Sequence, residues 1–152
     1  MAIRKIIEYP EPILRHKAQN VESFDEELKT LIEDMAETMY DAPGIGLAAP
    51  QIAVSKQLIV IDLTEPGEEQ HYMAMVNPKI VDREGTQLDE EGCLSVPDLT
   101  SQVKRFKKIR VKYQTEDGTP KELETEDRFA VVLQHEIDHL NGVLLVDRMS
   151  AV

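Results

Sequence analysis

The chain predicts an α+β fold: mixed or antiparallel β-sheets packed around a C-terminal helix, with an amphipathic helix near the N-terminus. Three observations lead there. Strand-type runs gather between residues 57 and 125, helical periodicity stands on either side of them, and nothing repeats the strand–helix alternation that a parallel sheet needs. The 152 residues contain no internal repeat, low-complexity tract or linker, so a single domain spanning 1–152 is expected.

The first helix is expected from about Phe24 to Tyr40. Ser23 and Glu26 have the spacing of a capping box, and Leu28, Leu31, Ile32, Met35 and Met39 recur at helical intervals. It ends at Asp41-Ala42-Pro43-Gly44, where proline and glycine break the pattern. A stretch of small residues with little charge follows, Gly44-Ile45-Gly46-Leu47-Ala48-Ala49-Pro50-Gln51. Strands are expected over Gln57–Leu63, Tyr72–Val76, Lys79–Arg83 and Val103–Thr115. Asp117-Gly118 then turns the chain into a return strand near Glu122–Thr125. The second helix runs from about Asp127 to Leu140, placing Val131, Val132, His135 and His139 near one face, and stops at Asn141-Gly142.

Composition narrows the function. With 41% hydrophobic and 30% charged residues the chain reads as globular. The net charge of −12, from 29 acidic and 17 basic side chains, disfavours nucleic acid and anionic membranes as partners. The run Lys104 to Lys112 is a local exception, read as a strand with basic residues facing outward. No apolar run has the length of a membrane span, and the start Met1-Ala2-Ile3-Arg4-Lys5 lacks a secretory signal, so a cytoplasmic location is expected. One cysteine, Cys93, rules out a disulfide within the chain.

The segment richest in chemistry is Gln134-His135-Glu136-Ile137-Asp138-His139. Histidines at i and i+4 lie one above the other on a helix, so both imidazoles can reach one metal ion. The glutamate after the first histidine stands beside that ion, placed to take a proton from water. A catalytic site of this kind needs a third protein ligand and an open position. No glutamate follows Glu136, and an extended motif would need a histidine where Leu145 stands, so the third ligand comes from upstream. Cys93, His16 and His71 are the candidates. Thiolate is a strong ligand for such ions, and Gly92 lets the backbone approach closely beside Cys93.

Three blocks in order, Gly44 to Gln51, Glu91-Gly92-Cys93-Leu94-Ser95 and Gln134 to His139, closely resemble the peptide deformylase family across nearly the whole chain. The resemblance implies a hydrolase that removes the formyl group from N-terminal formyl-methionine of nascent polypeptides and releases formate. It implies Cys93, His135 and His139 as ligands of one divalent ion: Fe2+, with Ni2+, Co2+ or Zn2+ as substitutes. Glu136 becomes the general acid/base, while the Gln51 side-chain amide and the Leu94 N–H become oxyanion donors. Ile45 and Gly46 are expected to hold the peptide backbone, and Ile45, Val131 and Val132 the methionine side chain. Glu91 is expected at the substrate cleft and to pair with Arg105, bracing the Cys93 loop. The segment Asp98 to Gln102 departs from familiar patterns and is expected to edge the cleft. The chain stops at Val152, short of the further C-terminal helix through which many bacterial relatives contact the ribosome. Proximity to the ribosome without that helix is the expectation.

Two rivals share parts of this pattern. A metallopeptidase uses the same histidine–glutamate motif but takes its third ligand downstream. A non-catalytic domain stapled by a metal closes its site with a fourth protein ligand, and Glu136 is then left without a role.

Overall fold

One antiparallel sheet is held between two helices, and a continuous apolar strand marks the place. The computed structural model describes residues 2–64 and 67–148. Helix α1 spans Glu26–Asp41, followed by strands β1 (Gly46–Ala48), β2 (Leu58–Ile61), β3 (Met73–Cys93), β4 (Val96–Gln114) and β5 (Pro120–Glu126). Helix α2 covers Asp127–Leu140, and a single turn, α3, covers Leu145–Arg148. The strands lie side by side in chain order, every pair antiparallel.

All four residues of β2 are buried. Leu58 and Val60 pack towards α1 with Met35, Met39 and Val76, whereas Ile59 and Ile61 pack towards α2 with Met75, Leu133 and Ile137. Burial on both faces is what turns this strand's pattern from alternating to uniformly apolar.

Several expected boundaries move. The cap of α1 is Asp25, not Ser23: its carboxylate accepts from the Leu28 N–H at 3.0 Å, and Glu26 and Glu27 follow in the first turn. Both residues can cap, and the one directly before the helix does so. The strands expected at Tyr72–Val76 and Lys79–Arg83 are parts of one strand, β3, which continues to Cys93. The break expected between them is a register shift at Asn77, a residue with φ of 51°. The Asn77 side chain accepts from Val21 N–H (2.8 Å) and donates to Val21 O (3.0 Å) and Gln114 Oε1 (2.8 Å). It thereby replaces the ladder bonds that the irregularity removes. The basic run does not face uniformly outward either. Lys108 and Arg110 pair with Glu124 and Glu122 on β5, but Arg105 is buried and points the other way, to Glu91.

Candidate metal centre

Helix α2 is buried almost around its circumference, and this carries two histidines inside the protein. His135 and His139 are one turn apart, with ring centroids 5.1 Å apart and planes at 69°. Cys93 comes from the last position of β3, where the tight Leu94-Ser95 turn leads into β4. Its Sγ lies 3.2 Å from His139 Nε2, and one ligand atom from each of Cys93, His135 and His139 falls within 4.8 Å of the others. His16 and His71, the other upstream candidates, are exposed and stand apart from this group.

The surroundings suit a cation. Glu91 Oε1 lies 2.9 Å from His135 Nδ1, which places the ring proton on that nitrogen and leaves Nε2 for an ion. Burial pushes the Glu91 carboxyl up, but Arg105 and His135 outweigh it and hold the group down at about 2, so it stays ionised. Burial drives His139 down to about 3, reinforced by repulsion from His135 and Arg105, so this imidazole is neutral, as a ligand must be. For His135 burial acts downward too, yet the contacts with Cys93 and Glu91 raise it to about 10. That proton is the charge a divalent ion would replace.

Glu136 is 5% exposed, and its Oε1 has no hydrogen-bond partner among the described residues. Burial is the main cause that lifts its carboxyl to about 7, with His135 and Arg105 opposing. Its other oxygen lies against Gly46. A Cβ there would sit 2.5 Å from Oε2 and 2.9 Å from Cδ, so glycine makes room for this carboxylate. A thiolate-and-imidazole donor set, a carboxylate orienting one ring and an unpartnered buried carboxylate alongside together fit one divalent ion with an open position.

Gln51 is 2% exposed, on a 3₁₀ turn over Ala49–Ile52, so it is no surface loop residue. Its Oε1 accepts from the Ala48 N–H at 2.9 Å, and its Nε2 donates to Ser95 Oγ at 3.1 Å and lies 3.7 Å from Cys93 Sγ. These contacts fix the amide with its N–H groups towards the thiol.

A cleft of about 750 Å³ opens over these groups. Every site residue expected from the sequence lines it (Ile45, Gly46, Gln51, Glu91, Cys93, Leu94, Val131, Val132, His135 and Glu136) except His139, which is 1% exposed behind the others. Thr100 lines it as well, whereas the side chains of Asp98 and Leu99 lie outside the described residues. Ser95, Asp138 and Arg128 were not among the expected residues. Ser95 orients Gln51, Arg128 stands at the cleft, and Asp138 pairs with Arg105 from the far side of α2. Ser95 sits within the Cys93 block and was open to inference; the Asp138 pairing depends on tertiary contact alone. A larger cavity of about 890 Å³ lies on the other side of α2 and contains none of the three ligands.

Residues 3–152 match the family described as polypeptide deformylase. A peptide deformylase of Desulfotalea psychrophila is 58% identical over all of this chain and 90% of its own length. A peptide deformylase crystal structure from Legionella pneumophila superposes with a TM-score of 0.92 at 52% identity, covering 98% of this chain and 87% of that one. The peptide deformylase structure from Thermotoga maritima gives a TM-score of 0.94 at 43% identity, covering 99% of this chain and all of that one.

Proposed function

From the premise that the chain belongs to the polypeptide deformylase family, metal-dependent hydrolases that take the formyl group off nascent peptides, we propose how its own residues carry that reaction. The observation that supports the reading most is the unpartnered Glu136 carboxylate beside the Cys93, His135 and His139 donors. Those three residues hold the ion, and we assign Fe2+ as the resident metal, with Ni2+, Co2+ or Zn2+ able to take its place. When bound, the ion supplies Lewis acidity that makes water attack a formamide at neutral pH.

Glu136 does the proton work. A carboxyl lifted to about 7 by burial exchanges protons at working pH, accepting one from the attacking water and giving it to the departing amine. Water oxygen bonds to the formyl carbon, the C–N bond breaks, and formate and a free N-terminal methionine leave. Negative charge gathers on the former formyl oxygen between these events. The Gln51 amide, oriented by Ala48 and Ser95, and the Leu94 N–H meet it, each such donor contributing about 3 kcal/mol. Ile45 and Gly46 take the extended peptide backbone, and Val131 and Val132 provide apolar wall for the methionine side chain. Glu91 supports this arrangement through His135 as well as lining the cleft.

The whole chain acts as one catalytic domain of the cytoplasm, close to the ribosome where formyl-methionyl chains emerge. Among the described residues no helix is long and apolar enough to cross a membrane. The test is formate release from formyl-Met-Ala by the metal-loaded protein and by Glu136→Ala. The variant keeps the ion and loses turnover. Cleavage of an unformylated peptide with no formate from the formylated one overturns the reading.

A further inference from the structure

Arg105 is 5% exposed and spends its guanidinium on two carboxylates. Its Nε and Nη2 each donate to Glu91 at 2.8 Å, and its Nη1 donates to Asp138 at 2.5 Å. Glu91 in turn holds His135. One guanidinium bridges two carboxylates, and the structure brings a second arginine to Asp138 from beyond α2. Arg148, on α3, donates to Asp138 Oδ1 at 3.0 Å through Nη2 and to Oδ2 at 3.1 Å through Nε. With Arg148 in place the set of two arginines and two carboxylates balances.

The turn that carries Arg148 is itself anchored. Leu144 and Leu145 are buried, the Leu144 N–H donates to Asp147 at 2.8 Å, and Asp147 forms an ion pair with Arg15. The backbone after α2 also returns to the same place, Val143 N–H donating to Asp138 O at 2.9 Å. Arg148, Asp138 and Arg105 stand away from the cleft, yet through Glu91 they form an unbroken series of charged contacts that ends on the His135 imidazole.

We propose that Asp138 and Arg148 are positioning residues for His135, so that docking of α3 sets how firmly the centre retains its ion. The proposal rests on reading His135 as a metal ligand. The physical cause is competition for Arg105. When Arg148 is absent, Asp138 is an under-compensated carboxylate beside a buried guanidinium and draws it away from Glu91. Glu91 then loses the partner that fixes it, and His135 loses the partner that fixes its ring. The coupling is reciprocal: whatever α3 contributes to ion retention, the ion contributes to ordering α3.

The experiment compares cobalt-loaded wild-type protein with Arg148→Gln, Arg148→Lys and Asp138→Asn, reading cobalt dissociation into excess chelator and the cobalt–thiolate absorption band. Partners of metal-bound histidines commonly carry ten- to a hundredfold in affinity, and Asp138 and Arg148 stand two and three contacts further out. The expected acceleration is roughly threefold for Arg148→Gln, with Arg148→Lys recovering part of the loss, whereas Asp138→Asn removes the competing carboxylate, leaves Arg105 to Glu91 and does not accelerate dissociation. Amide exchange at residues 144–147 slows on cobalt loading in wild type and not in Arg148→Gln. Lys108→Gln, which breaks an exposed ion pair elsewhere on β4, leaves the dissociation rate unchanged. Arg148 is half exposed, so its replacement leaves the fold intact and decides the matter if Asp138→Asn fails to fold. A wild-type dissociation rate and an unmoved absorption band in Arg148→Gln overturn the coupling. A wild-type protein that takes up no cobalt overturns instead the metal reading beneath it.

Discussion

Replacing Gly46 by alanine adds one methyl group at a point where the structure has no space for it. An ideal Cβ would meet Glu136 Oε2 at 2.5 Å, Cδ at 2.9 Å and Cγ at 3.0 Å; real Cβ atoms stay beyond about 3.0 Å, so the closest contact is about 0.5 Å too short. Something has to move. The backbone is held by pairing of Gly46 with Ile61, and the neighbouring Leu47 and Ala48 are fully buried. The Glu136 carboxylate has one unpartnered oxygen and a cleft beside it, so it gives way. Overpacking of this size costs about 1–3 kcal/mol of stability, which lowers the melting temperature by roughly 2–10 °C for a chain of this length. The larger effect is on chemistry, because displacing a proton-transfer group by a fraction of an ångström towards 1 Å costs up to about a hundredfold in rate. The ligand side chains lie on α2 and β3 and stay in place, so metal content is unchanged. The assay is kcat/KM for formate release at 25 °C, alongside metal analysis and a thermal melt. Gly44→Ala is the control, since its Cβ would meet Leu94 Cδ1, the movable end of a side chain. Wild-type kcat/KM in Gly46→Ala would refute the claim that Glu136 needs this position.

Two further predictions concern stability. Asp127, the first residue of α2, has φ of 58°, a conformation that costs a residue with a side chain about 1 kcal/mol, and its acidic charge at a helix start returns part of that. Asp127→Gly therefore raises stability by up to about 1 kcal/mol in urea melts, and a fall of that size contradicts the argument. Asp34 is buried and accepts from Arg4 at 2.7 Å and 3.0 Å and from the Ala2 N–H at 2.7 Å. Burial pushes its carboxyl up, but these donors outweigh it and hold the group below its ordinary 3.8. A depressed carboxyl adds stability that is complete above the ordinary value and vanishes as pH falls through the folded one. Wild type is therefore more stable than Asp34→Asn at pH 6 and loses that advantage below pH 4; a gap that persists undiminished at pH 2 contradicts the assignment.

The sequence made the two helices legible because each carries its own period: Leu28 to Met39 for α1, and the histidine pair with Val131 and Val132 for α2. The histidine pair of the candidate metal centre was legible from its helical spacing, and Cys93 from the family resemblance of its block. Three things escaped it for physical reasons. Strand β1 has three residues and begins with glycine, so its existence depends on pairing with β2. Residues 84–92 of β3 are polar apart from Leu88 and show no apolar alternation; they become strand because β4 supplies the opposite ladder, including Glu84 against Lys108 and Gln87 against Arg105. The third is the charge set behind His135. The Glu91–Arg105 pair was expected from the family resemblance, but Asp138 and Arg148 look like ordinary surface residues of a charged chain, and only the packing of α2 and α3 brings them to Arg105.

The proposed chemistry depends on one ion shared by a sulfur from the end of β3 and two imidazoles from α2. Cobalt titration of wild type and Cys93→Ala, followed by absorbance, tests it most directly. The prediction is one ion per chain with an intense sulfur-to-cobalt band in wild type, and loss of both the band and tight binding in Cys93→Ala. An unchanged stoichiometry and affinity in that variant would contradict it.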